Sequence, residues 1–320
     1  MKINGLIHQF TLGMLFAATL LLHSCTNLHE NLPECRLFVK FKYDYNMLFA
    51  DAFHTQVDKV ELYVFDKDGK FLFKQSEEGA SLATGSYLME VEIPVGTYKF
   101  MAWAGARDSY DIVALIPGTS TITDLKLQLK REESLVSEHK LEPLWYGEIN
   151  DVHFTGLITH QTETINLIKD TNTIRFLFQS YTEGAWNLNM DEYDYEIIES
   201  NGYLAHDNSL LNDDTLSFQP YNKKQLSPSM VAVELNTMRL MSNRATRFVV
   251  TEKATGRKVF DINLTNYLIL TGIEGSNLPA QEYLDREDEY KISFFFSDAW
   301  MVVQIVINNW IWHLQSEDID

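Results

Sequence analysis

From Cys35 to Tyr45 the chain alternates. In CRLFVKFKYDY the odd positions Cys35, Leu37, Val39, Phe41, Tyr43 and Tyr45 are apolar or aromatic, while Arg36, Lys40, Lys42 and Asp44 hold most even ones. Successive side chains of an extended chain point to opposite faces, so this period of two demands a half-buried strand. A looser piece, NMLFADAFHT, separates it from VDKVELYVF, where Val60, Leu62 and Val64 alternate with Glu61, Tyr63 and Phe65. Asp66-Lys-Asp-Gly69 then turns the chain into a second arm, KFLFK, which predicts a hairpin.

Later segments repeat this grammar. Tyr87, Met89, Val91 and Ile93 alternate with Leu88, Glu90 and Glu92 up to the Pro94-Val-Gly96 turn, and Tyr98, Phe100 and Ala102 continue on the return arm. Leu125, Leu127 and Leu129 set against Lys126, Gln128 and Lys130 predict a further strand. Short strands separated by turns, with almost no helical period, predict an antiparallel sandwich. The polar stretches REESLVSEHK and EINDVHFTGLITHQTET bracket Trp145, which places a domain boundary near residue 160 and two domains at 35–159 and 160–320. Beyond it INLIKD, NTIRFLFQS, DYEIIES, MVAVEL, TRFVVTE and KVFDINL read as strands, and Leu278 to Glu287 as a short helix opened by proline. KISFFF follows. The closing run MVVQIVINNWIW is too continuously apolar for a one-faced strand, so it is buried on both sides or paired with something else.

Ahead of the first strand lies an address. Residues 1–24 offer Lys2, an apolar core from Phe10 to Leu22 and the ending Leu21-Leu-His-Ser-Cys25. The apolar core is shorter than the roughly 20 residues that a spanning helix needs, so the segment reads as a signal peptide. Ordinary cleavage after a small residue is one outcome. Leucine four positions before a cysteine fits a bacterial lipobox better, with Cys25 becoming the lipid-bearing first residue. Acyl chains contribute about 0.8 kcal/mol per buried methylene, so a multiply acylated cysteine is a durable anchor. Residues 25–34, with Pro33 and no strand period, form a tether. With Cys25 consumed, Cys35 is the only thiol left, which excludes an internal disulfide and suits a small buried hydrophobe better than a nucleophile.

Net charge is −19, from 45 acidic and 26 basic residues. Such a chain is repelled by nucleic acid and by anionic head groups. No phosphate-binding loop, G-x-G-x-x-G or G-x-S-x-G occurs, and His153 and His160 match no metal-ligand spacing. Asp66-Lys-Asp-Gly69 resembles part of a calcium loop, but its glycine comes fourth instead of sixth, so a turn explains it better. We therefore expect no enzyme, no cofactor and no bound metal. The six tryptophans and 15 tyrosines could include a flat platform for sugars, although most suit two cores. Trp186, in the loop-like TEGAWNLN, is the exposed exception expected to touch a glycan.

The order C-x-L-x-V-x-F-x-Y, N-M, D-A-F and V-x-L-Y-V-F-D-x-x-G resembles the start of the FimB/Mfa2 family of fimbrial anchor and accessory lipoproteins of Bacteroidetes-type bacteria. Gly96-Thr-Tyr98 leading to Trp103-Ala-Gly105, Leu144-Trp-Tyr-Gly147, Asn236-Thr-Met-Arg-Leu240 and Ile307-Asn-Asn-Trp310 agree with it. The resemblance implies an all-β protein of two transthyretin-like antiparallel β-sandwich domains with few short helices. It implies a lipid-anchored, surface-exposed outer-membrane subunit that anchors or caps a fimbrium through strand-mediated contact with a stalk or accessory subunit. The chain ends at Asp320, soon after Asn309-Trp310, so a long C-terminal donor strand is not expected, and an anchor or cap fits better than a polymerising stalk subunit. A surface lipoprotein that binds polysaccharide through exposed aromatics is the alternative.

Overall fold

The computed structural model describes residues 34–131, 134–182, 186–297, 300–307 and 310–313. The expected leader, Cys25 and all of the tether but Glu34 lie outside the described residues. Strand β1 (Arg36–Lys42) forms where the alternation demands it, burying Leu37, Val39 and Phe41. It lies between β10 (His160–Asn166), to which it runs parallel, and the short antiparallel β4 (Met89–Val91). Facing this sheet is a second one in the order β11 (Ile168–Lys169), β9 (Trp145–Phe154), β5 (Gly96–Ala104), β2 (Lys59–Asp66), β3 (Phe71–Glu78). Val60, Leu62 and Val64 of β2 join Phe100, Ala102 and Ala104 of β5 in the core beneath β1. The β2–β3 turn is the expected hairpin: Gly69 takes φ 79°, and Asp66 Oδ1 accepts the Asp68 and Lys70 N–H groups at 2.9 and 2.8 Å.

Alternation in β2 predicts one wet face, yet Val60 to Phe65 are all buried. Its second face, with Tyr63 and Phe65 beside Met101 and Trp103 of β5, packs with a small sheet of β14 (Tyr203–Leu204), β7 (Leu127–Leu129) and β6 (Tyr110–Ile112). Even Glu61 is buried. Its carboxylate accepts from the Tyr63 hydroxyl at 2.8 Å and from Lys74 at 3.1 Å, which supplies the partners a buried charge requires.

The second sandwich sets a six-stranded sheet against a five-stranded one. The first runs β16 (Asn222–Ser227), β17 (Met230–Met238), β12 (Thr171–Ser180), β20 (Glu289–Phe296), β21 (Val302–Ile307), β22 (Trp310–His313); the other runs β19 (Lys258–Asn263), β18 (Arg247–Glu252), β13 (Tyr193–Glu199), β15 (Leu216–Phe218), β8 (Val136–Ser137). Phenylalanines from both sheets fill the space between them; Phe176 stacks on Phe248 with ring centres 3.8 Å apart. Each half lends a strand to the other: β8 pairs with β15, and β14 with β7. The architecture is mostly β-strand in several sheets, with short helices.

A four-residue turn, α1 (Phe53–Gln56), lies in the first half. The helix expected at 278–287 is α3 (Ala280–Arg286), which follows Pro279. A longer one, α2 (Leu264–Ser276), was not expected, because LTNYLIL is a short apolar run that periodicity alone does not distinguish from a strand. Its start is set by Asn263, whose side chain accepts the Asn266 N–H at 3.1 Å, and by Leu264 and Leu268, one turn apart and both buried. Among the described residues no helix is long and apolar enough to cross a membrane.

Two glycines of the recurring tripeptides have a steric reason. A Cβ on Gly105, at φ 72°, would lie 2.0 Å from the Pro143 carbonyl oxygen, and one on Gly147 would lie 2.5 Å from Ile165 Cγ2. Backbones pass too closely there for any side chain.

Candidate functional site

A protein that joins another through strands needs an edge whose backbone groups are unsatisfied, and soluble β-proteins blunt such edges with charges, bulges or brevity. Most edges here are blunted. On β3 lie Lys74, Glu77 and Glu78, with a bulge opposite Val64 and Phe65. Lys223 and Lys224 mark β16, which bulges between Gln225 and Ser227. The β18–β19 register slips at Val250 and Thr251, and β4, β6, β8, β11 and β14 have three residues or fewer.

The edge strand β22 differs. Its sequence Trp-Ile-Trp-His carries no lysine, acid or proline, and it pairs with β21 through four consecutive residues without a bulge, from Ile307 opposite Trp310 to Gln304 opposite His313. Its outer side has no strand neighbour among the described residues. The run expected to be doubly buried or paired is therefore a hairpin at a sheet margin. Ile305 and Ile307 are buried, and the other β21 residues are half-buried. On the outer face of the same sheet, Leu177, Leu226 and Val306 line a shallow depression of about 380 Å³ flanked by Arg175 and Lys291.

Trp186 does not form a flat, exposed platform. It is half-buried, packed edge-to-face against Phe296 and Trp300 at ring-centre distances of 5.4 and 5.3 Å. Trp103 and Trp145 are core residues. Cys35 is half-buried, with its thiol donating to the Gly156 carbonyl at 2.9 Å. His153 is exposed beside Asp151 at 3.1 Å, and His160 stacks on Phe38. Among the described residues no group of three His, Cys, Asp or Glu side chains could hold a metal.

Between the sandwiches lies a buried polar cluster that sequence reading missed. Asp170, wholly buried between β11 and β12, accepts from the Asn208 amide at 2.8 Å, and Arg239 lies 3.9 Å away. Arg239 forks onto both oxygens of Asp285 of α3 at 2.9 Å each and donates to the Asn208 carbonyl at 2.7 Å. Burial pushes the Asp170 carboxyl up to about 7, against the pull of Arg239 and Asn208. Nearby, Arg286 is held over Tyr45 and Phe49 at 4.0 and 4.4 Å, and Lys169 pairs with Asp288. Arg239 belongs to Asn236-Thr-Met-Arg-Leu240, so that motif's arginine is a structural tie across the junction. A large open cleft beside this region, about 570 Å³, mixes Lys130, Arg131 and Lys140 with Asp108, Glu138 and Glu142.

Two sandwiches of short strands with few short helices define a β-rich protein whose β22 edge has no strand neighbour among the described residues. Residues 32–316 match the family of fimbrillin-A associated anchor proteins Mfa1 and Mfa2, and the chain belongs to that family. It is 24% identical over 301 residues to the minor fimbrium anchoring subunit Mfa2 of Porphyromonas gingivalis, covering 91% of this chain and 90% of that one. The solved structure of the fimbrial anchor protein Mfa2 from that organism shares the fold, with a TM-score of 0.70, 22% identity, and coverage of 88% of this chain and all of that one. A Bacteroides thetaiotaomicron structure described as a candidate polysaccharide-binding protein is 66% identical, with a TM-score of 0.85 over 89% of this chain and all of that one.

Proposed function

We propose that this chain is a non-catalytic lipoprotein of the outer membrane, exposed at the cell surface, that anchors a fimbrium by holding a stalk or accessory subunit through strand addition. The observation that carries the fimbrial part is membership of the anchor family across most of the chain. Lipid attachment draws on Leu21-Leu-His-Ser-Cys25. Strand addition draws on β22, the unblunted edge. A partner strand laid along it would satisfy its outward N–H and C=O groups.

The anchor reading is tested by recovering fimbriae from cells carrying native protein or Cys25→Ala. Shedding of fimbriae into the medium with the variant still attached is the expected result; fimbriae that remain cell-bound and contain none of the protein would overturn it. For strand addition, Ile311→Pro and Trp312→Pro are compared. Neighbouring N–H groups of a strand point to opposite edges, so only one of these substitutions strikes the outer edge alone. That variant should fold normally and lose the fimbrial subunit, and undiminished capture by both would sink the proposal.

Polysaccharide binding is a second reading, favoured by the description of the 66% identical structure. Tyr181, 60% exposed, is the better aromatic for it than Trp186. Loss of glycan binding in Tyr181→Ala would support this reading; no glycan binding by the native protein would remove it.

A further inference from the structure

We infer that the tip of the first sandwich, formed by Val95, Leu157 and Ile158, is a second membrane contact that dips into the bilayer holding the Cys25 acyl chains. This rests on the lipid-anchor reading. The three side chains are 63%, 86% and 58% exposed. They stand on two adjoining loops that carry no charge, Pro94-Val95-Gly96 and Thr155-Gly-Leu-Ile-Thr159. These loops touch: a Cβ built on Gly156 would lie 2.7 Å from Val95 Cγ2. Single exposed aliphatics are ordinary, but a paired-loop cluster of aliphatics on so acidic a chain is not.

The start of the fold brings the cluster within tether reach of the lipid. Cys35 donates its thiol hydrogen to the Gly156 carbonyl at 2.9 Å, and the Arg36 N–H donates to the Thr159 carbonyl at 2.9 Å. The first ordered strand thus begins on the apolar loop itself. Ten peptide units separate Cys35 from Cys25, which limits their distance to about 35 Å even when fully extended. From the tip, β1 runs the length of the sandwich, about 23 Å, toward Asp44 and Asn46, whose carbonyls accept from Arg286 at the junction. The start of β1 and the apolar tip therefore lie at one end of the first sandwich and the second sandwich at the other. Flanking Glu34 and Glu92 are exposed carboxylates, which favour a shallow seat in neutral phospholipid over an anionic surface.

The test uses the full chain, lipidated in its own cell type and reconstituted into phosphatidylcholine vesicles. A fluorophore is placed by Leu157→Cys, or by Ala254→Cys in an exposed turn of the second sandwich, each with Cys35→Ser; Cys25, as a thioether, does not react. Loss of fluorescence at position 157 with doxyl-lipid quenchers, and at position 254 with aqueous iodide alone, is expected. If iodide alone quenches position 157 while the protein stays on vesicles, the tip contact is wrong and the lipid anchor stands. Shielding of position 157 from both quenchers would assign the tip to a protein, a second copy or a fimbrial subunit, and overturn the inference. A native chain that fractionates into the aqueous phase like Cys25→Ala would remove the anchor reading, and this contact with it.

Discussion

Asp170 is the residue whose protonation the fold controls most plainly. Unfolded, an aspartate titrates near 3.9; folded, burial holds this carboxyl up to about 7. Between those values the native state binds the extra proton, so stability falls as pH rises from about 4 to about 7 and is level on either side. Burial pushes Glu287 in the same direction, also to about 7. Asp170→Asn should remove the larger part of this loss, making the variant flatter between pH 5 and 8 and more stable than native protein at pH 8. Denaturant melts at the two pH values measure this, and an unchanged slope would contradict the assignment. Trp186→Ala should cost about 2 kcal/mol through lost edge contacts with Phe296 and Trp300. Glycan binding, if any is measured, should be unchanged by it.

At the scale of elements, what differs among the strands is how their edges are closed. The exposed Lys223 and Lys224 on β16 keep that edge from pairing, and the bulge after Gln225 shortens it. Lys223→Ile combined with Lys224→Val should raise self-association, read by light scattering at increasing concentration, while the melting temperature moves little. Unchanged scattering would mean the bulge suffices. The opposite edge, β22, carries no lysine and pairs with β21 without a bulge. Helix α2 shows the other limit of local pattern: Leu264 and Leu268 suit a strand or a helix, and the Asn263 cap decides between them.

For the whole molecule, the sandwiches share more than a linker. One apolar cluster runs from Tyr63 and Trp103 in the first half to Phe176 and Phe248 in the second, strands β8 and β14 cross over, and Arg239, Asp170 and Asp285 close the junction. The described residues should therefore unfold in one cooperative step, with far-ultraviolet and near-ultraviolet circular dichroism tracing coincident curves. Two separated transitions would show that the shared core is weaker than either sandwich alone. Rigid coupling suits an anchor, since load on one end reaches the other without a hinge.

The sequence by itself determined the β-class, the inward face of β1, the Asp66–Gly69 turn and the helix after Pro279, because each rests on local periodicity or on a residue's own backbone limits. The order of short motifs also carried the family. Only the tertiary structure decided that both faces of β2 are buried, that Trp186 is a packing residue, and that Asp170 meets Arg239 across 69 positions. It alone brought Val95 against Gly156 beside the start of β1. Those outcomes depend on which surfaces meet, and contacts between distant segments leave no period in the chain to read.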